Sequence, residues 1–198
     1  KTLNQLDCEI IDCGICPTPT AQLMVKDLDA KGGIIVTASH NPIEWNALKF
    51  VGDEGLFLDS EEHKQLQIEL AKANAAGPLK SPLTGSVTKL DDRIERHIEN
   101  VMALDLVNVD AIRELRPKVV IDAINGAGSE ALPAFLERIG CEVIPLNCNN
   151  DGNFVHTPEP LPENLMELRK TVSRTGADIG IATDPDADRL AVIDAVGN

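Results

Sequence analysis

Aromatic side chains are scarce in this chain. Its 198 residues hold no tyrosine, one tryptophan and four phenylalanines. A core must therefore come from Val, Ile, Leu and Ala, and 43% apolar content suits a soluble α/β protein. Positive charge is scarce as well: 18 Lys and Arg face 32 Asp and Glu, for a net charge of −14. That balance argues against nucleic acid or an anionic membrane as partner. No apolar run approaches the roughly 20 residues that span a bilayer. No secretory signal is visible, since the first residues mix Lys, Asn, Gln and Asp. Five cysteines, an odd number, give no paired framework, so a reduced, cytoplasmic protein is expected. The chain begins at Lys1 rather than Met, as expected of a piece of something longer.

Two cysteine patterns call for weighing. Cys8, Cys13 and Cys16 have the spacing of a plant-type iron–sulfur site, but no fourth ligand is evident. Cys13-Gly14-Ile15-Cys16 resembles a redox pair, yet Pro17-Thr18-Pro19 is expected to separate it from the next helix. Small buried cysteines are the expectation for both.

Along the chain the pattern alternates between strand and helix. An apolar stretch at 9–15 leads to a helix over 21–30, then strands over 33–38 and 48–51. A turn at 52–55 follows, and Ser60 is expected to cap a helix running to about Ala76. Residues 77–90 read as loop, and Asp91 opens an amphipathic helix with Ile94, Ile98, Val101 and Met102 on one face. The chain changes over around 106–117, giving expected domains of 1–107 and 108–198. In the second, strands over 118–124, 141–146, 178–183 and 190–195 alternate with helices over 129–139 and 162–174. The fold class expected is α/β: two consecutive units, each a mixed, mostly parallel sheet flanked by helices. The last two strands lie too close for a crossover helix and are expected to pair antiparallel.

Two loops carry chemistry. The strand at 33–38 runs into Thr37-Ala38-Ser39-His40-Asn41-Pro42, which sets a hydroxyl beside an imidazole at a strand exit. By themselves those residues leave a nucleophile and a polar bend both open. The second loop is Asp184-Pro185-Asp186-Ala187-Asp188-Arg189. Three alternating carboxylates repel one another unless something positive binds them, and oxygen-only ligands favour Mg2+. A solvated acidic turn is the plain alternative. A calcium hand fails, because Arg189 and Ala195 stand where it needs Gly and Glu. Arg189 beside three anions suggests that a phosphate is placed there too.

These two loops resemble the phosphoserine and metal loops of the α-D-phosphohexomutases: phosphoglucomutases, phosphomannomutases and phosphoglucosamine mutases. Asn46 and Lys49 match the family's Asn-Gly-x-Lys, and Asn125-Gly126-Ala127-Gly128 follows a strand as it does there. His156-x-Pro158-Glu159-Pro160 and Pro162-Glu163-Asn164-Leu165 resemble its second domain. Ala47 and Pro185 stand where Gly is usual, which leaves the subfamily open.

The resemblance implies that Ser39 carries a phosphoryl group and that its phosphate joins Asp184, Asp186 and Asp188 around Mg2+. It implies that His40 and Lys49 act as acid/base or phosphate-contacting groups, and that Arg189 steadies the phosphoserine. The implied substrate is a hexose or hexosamine phosphate, shuttled between 1- and 6-positions through a bisphosphate. His156 is expected to shape a loop. The family's third and fourth domains, which choose and hold the sugar, are absent, so the chain alone is expected to be inactive. Two rival readings remain: a dinucleotide site at Gly126 and Gly128, and a non-catalytic Mg2+-binding module.

Overall fold

The computed structural model describes residues 2–41, 44–79 and 82–198. In chain order the elements are α1 (Thr2–Gln5), β1 (Ile10–Asp12), α2 (Thr18–Asp27), β2 (Gly33–Thr37), β3 (Ala47–Val51), α3 (Ser60–Ala76), β4 (Val87–Lys89), α4 (Arg93–Met102) and α5 (Val109–Leu115). Then follow β5 (Lys118–Asp122), α6 (Gly128–Arg138), β6 (Glu142–Leu146), α7 (Met166–Thr175), β7 (Ile179–Thr183) and β8 (Leu190–Asp194). The class is α/β, as expected.

The C-terminal sheet has the order β6-β5-β7-β8. β5 pairs in parallel with β6 and β7, and β8 closes the edge antiparallel to β7. Both faces of β5 are covered, which explains its unbroken run of Val119, Val120 and Ile121. Val119 and Ile121 face Leu136 of α6 and Ile139. Val120, pointing the other way, packs with Leu168 and Val172 of α7. Gly180 lets α7 approach the sheet, since a Cβ there would lie 2.7 Å from the Val172 side chain. Two parallel strands thus aim their C-terminal ends, at Asp122 and Thr183, toward one edge, where open α/β sheets bind ligands.

The N-terminal elements form two separate pairs: β1 with β4, parallel, and β2 with β3, antiparallel. The β2–β3 register sets Ile35 opposite Lys49 and Thr37 opposite Ala47. α4 joins the two regions, with Ile94 and Ile98 packed against Ala131 of α6.

Several local expectations are corrected. α2 starts at Thr18, directly after Pro17, because proline suits the first helical turn. The proline spacer invoked for the cysteine pair is therefore missing. Burial instead keeps those thiols protonated, raising Cys13 and pushing Cys16 up to about 11. Asp59, not Ser60, caps α3: its carboxylate accepts from Glu61 and Glu62 N–H, and the Glu62 side chain accepts from Asp59 N–H at 2.8 Å. The expected loop at 77–90 contains β4. The changeover contains α5, capped by Asn108 and ended by Arg116 in a left-handed conformation. The helix expected from Pro162 splits into a 3-10 turn, Pro162–Asn164, and α7.

Candidate active site

The serine loop is held by the strand that delivers it. Ser39 has φ +50°, and its N–H donates to Thr37 Oγ1 at 2.9 Å. Asn41 N–H donates to Ala38 O at 3.0 Å, which closes the bend. Pro42, the last residue of that motif, lies outside the described residues. A non-glycine residue in this region is uncommon and worth a functional question.

The aspartate loop leaves β7 at its C-terminal end. Asp184 is fully buried. Its Oδ1 accepts N–H from Asp188 and Arg189, each at 3.1 Å, and its backbone O accepts from Ala187 N–H at 3.0 Å. Asp186 is held by residues from the far end of the chain. Its Oδ2 accepts from Thr18 Oγ1 at 3.0 Å, Thr37 Oγ1 at 3.2 Å and Lys49 Nζ at 2.8 Å. Lys49 also reaches Asp188 Oδ2 at 2.7 Å. The carboxylates of Asp184, Asp186 and Asp188 each offer an oxygen, and these lie within 4.8 Å of one another.

Burial, then the charge of Asp186, raises the Asp184 carboxyl from 3.8 to about 6. Burial would raise Asp186 as well, but the hydrogen-bonded Lys49 ammonium outweighs it and holds that carboxyl below its usual value. For Lys49, burial works toward deprotonation, and the hydrogen bonds to Asp186 and Asp188 overcome it. Lys49 is thus held as a cation. It can donate a proton or contact a phosphate, but it is not poised as a base. It points at the carboxylates, where the sequence had suggested only nearness to Ser39.

Ser39 Oγ donates to Asp184 Oδ2 at 3.2 Å and lies 3.4 Å from His40 Nδ1. The other imidazole nitrogen, His40 Nε2, faces Arg189 Nη2 at 3.3 Å. Arginine only donates, so Nε2 must accept and the ring proton sits on Nδ1, directed at Ser39. The order of protons is Arg189 to His40 to Ser39 to Asp184. In this arrangement the His40 N–H donates a hydrogen bond to the serine oxygen, and the serine hydroxyl donates one to the carboxylate.

The donors suit a hard cation. They are all carboxylate oxygens, and Asp186 Oδ1 is buried with no partner among the described residues. A cation there would relieve both the repulsion and the orphaned oxygen.

The glycine turn does something other than bind a dinucleotide. Ala127 N–H donates to Pro185 O at 2.7 Å, and a Cβ on Gly126 would lie 2.5 Å from that same oxygen. Pro185 fills the space a pyrophosphate would need beside the backbone. β6 ends in Leu146, and Asn147 donates to Asp122 rather than offering an acid for ribose. The turn's glycines let the aspartate loop sit against α6.

All the expected site residues converge: Ser39, His40, Lys49, Asp184, Asp186, Asp188 and Arg189. Thr18 and Glu159 were missed. Thr18 is fully buried, donates its N–H to Asp186 O at 2.8 Å, and is separated from it by 168 residues. In the sequence its Pro-Thr-Pro setting reads as a spacer before the next helix and gives no sign of this contact. Glu159 Oε1 accepts from Arg189 Nη1 at 3.3 Å; the sequence placed it in a motif resembling the family's second domain but gave it no role at the site.

Residues 1–76 match the sequence model of phosphoglucomutase/phosphomannomutase, alpha/beta/alpha domain I, and residues 95–197 match that of domain II. The chain belongs to the phosphoglucomutase/phosphomannomutase family. A "Phosphoglucomutase/phosphomannomutase" of Thermococcus kodakarensis is 39% identical over 96% of this chain and 41% of that protein. A "Phosphomannomutase/phosphoglucomutase" of Pseudomonas putida is 36% identical over 100% of the chain and 40% of its own length. A "Probable phosphoglucosamine mutase" of Methanopyrus kandleri is 35% identical over 98% and 42%. Among solved structures, a phosphoglucomutase/phosphomannomutase family protein of Burkholderia thailandensis superposes with TM-score 0.77 at 29% identity, over 99% of this chain and 42% of that one. The chain spans about two fifths of the length of the curated relatives it matches. Among its described residues no helix is long and apolar enough to cross a membrane.

Proposed function

We propose that this chain is the phosphoryl-carrying portion of a phosphohexomutase, with Ser39 as the group that holds the phosphoryl between transfers. The observation that carries the reading is the hydrogen bond from Ser39 Oγ to Asp184, which joins the two loops across 145 residues. The substrate proposed is a hexose or hexosamine phosphate, in keeping with the names of the relatives. Asp184, Asp186, Asp188 and an oxygen on phosphorylated Ser39 would hold Mg2+. When bound, that ion supplies positive charge to offset the charge that develops on a moving phosphoryl group.

The chain's own residues do the rest. Thr37 fixes the backbone of Ser39, and His40 directs an N–H at its oxygen. Arg189 presents a guanidinium edge beside the imidazole, suited to a phosphate. Lys49, held protonated, can donate to a sugar oxygen or contact phosphate as group transfer proceeds. Asp184 takes the serine proton when the hydroxyl attacks. The five free thiols fit a reducing compartment, and we assign the protein to the cytoplasm.

Intact-mass measurement tests the reading. After incubation with a hexose 1,6-bisphosphate, the longer protein that includes this portion should gain the mass of one phosphoryl group, and its Ser39→Ala variant should gain none. Equal labelling of both would end the proposal. A Mg2+ affinity that ignores phosphorylation of Ser39 would favour the non-catalytic metal module instead. We further propose that sugar selection lies in the portion the relatives have beyond this span. A coupled assay of these 198 residues alone should therefore find turnover at or near background, and full turnover would overturn this.

A further inference from the structure

We propose that Glu159 is a positioning residue of the transfer site: its carboxylate ties one side of the Arg189 guanidinium so that the other faces His40, whose ring continues to Ser39. The inference rests on the phosphoserine reading above.

The tie has a built foundation. Asp122, buried at the end of β5, accepts through Oδ1 from Ile124 N–H at 3.0 Å and Asn147 Nδ2 at 3.1 Å. Its Oδ2 faces His156 Nε2 at 3.3 Å, and His156 Nδ1 lies 2.8 Å from Thr157 O. Both partners of that ring are acceptors, so the protonated ring can donate to each. The hydrogen bond to Asp122 accordingly raises its pKa. Three residues on, Glu159 O accepts from Leu161 N–H and Asn164 Nδ2, each at 2.8 Å. The backbone of Glu159 is therefore pinned from both sides.

Its side chain is the one group of this pinned loop that reaches Arg189 among the described contacts, Oε1 to Nη1 at 3.3 Å. The opposite edge, Nη2, faces His40 Nε2, whose ring continues to Ser39. Stability does not explain the pair. Arg189 and Glu159 side chains are 42% and 39% exposed, a setting in which ion pairs contribute little. Geometry does explain it. A planar guanidinium fixed along one edge keeps its remaining donors in one direction, whereas a free arginine at such exposure samples solvent.

The test reads Arg189 directly. The chain is made with phosphoserine installed at position 39 and 15N-labelled arginine, and rotation of the Arg189 guanidinium is followed by NMR, with R189K supplying the assignment. Phosphorylation should slow that rotation in the parent chain, and Glu159→Gln should speed it again by about tenfold, as loss of one charge-assisted hydrogen bond implies. Glu159→Asp should recover part of the slowing. His156→Ala should act in the same direction, and His156→Gln, which keeps a donor for Asp122, should restore it. Melting temperatures of the Glu159 variants should stay within a few degrees of the parent, separating position from folding. If Glu159→Gln rotates as slowly as the parent while phosphorylation still slows Arg189, Glu159 does not position it. If phosphorylation leaves Arg189 unaffected in the parent, the transfer-site reading falls, and this inference with it.

Discussion

Asp184→Asn is expected to make the metal-free chain more stable at pH 8 while abolishing its response to Mg2+. Asp184 is fully buried and its carboxyl is raised from 3.8 to about 6, first by burial and then by Asp186. A carboxyl whose folded pKa lies above its unfolded one binds its proton better in the native state. Its stabilising effect is complete below about pH 3.8, is lost as pH rises to about 6, and stays lost above. A shift of this size corresponds to roughly 3 kcal/mol. Asparagine keeps an acceptor for the Asp188 and Arg189 N–H groups and adds a donor toward Ser39 and Asp186, without the charge. The variant should therefore melt several degrees above the parent at pH 8, and the difference should vanish near pH 4. Addition of Mg2+ should raise the parent's melting temperature by linkage and leave the variant unmoved. A variant that melts below the parent at pH 8 without metal would contradict the electrostatic account.

Lys49→Met is expected to tighten Mg2+ binding and cripple phosphoryl transfer together. The ammonium now pairs with Asp186 and Asp188, at 2.8 and 2.7 Å, so any cation bound there competes with it. Without it, Asp186 keeps its charge in a nearly buried position with only hydroxyl donors. Breaking such a pair should cost about 2 kcal/mol in metal-free buffer, less than for a fully buried pair because Lys49 is partly exposed. Mg2+ should restore most of that loss, with affinity about tenfold higher than the parent's. Transfer of the Ser39 phosphoryl to sugar phosphate, measured on the longer protein in single turnover, should fall at least about a hundredfold, as for loss of a proton donor. Weaker Mg2+ binding in Lys49→Met would mean that the lysine assists the ion rather than competing with it.

Much of this site was legible because its two loops are local. Ser39 with His40, and the Asp184–Arg189 run, each follow an apolar strand whose end can be read from pattern. The β7–β8 pairing followed from the shortness of the link between them. What pattern could not reveal was direction. Lys49 sits in a strand whose register with β2 points it at residues 137 and 139 positions away. Thr18 read as part of a proline spacer and is a fully buried hydrogen-bond donor to Asp186. Glu159 stood in a motif resembling the family's second domain, but its contact with Arg189 depends on a loop anchored by the Asp122–His156 pair, which pattern does not show. The smaller errors were steric or local: a carboxylate at Asp59 outcompeted the Ser60 hydroxyl as a cap, and β4 is three exposed residues with no periodicity to detect.

The partners of the aspartate loop also bear on the order in which the chain assembles. Thr18, Thr37, Ser39 and Lys49 all meet it across 137 to 168 residues of sequence. Contacts that close such long loops gain nothing until most of the chain is in place, so they form late. On the ribosome the serine emerges well before the carboxylates that complete its site, since synthesis proceeds from the N-terminus. A nascent chain can therefore fold β2 and β3 and expose Ser39 while lacking the charges that make it useful. The serine meets its carboxylate partners only when β7 has docked and the aspartate loop after it is in place.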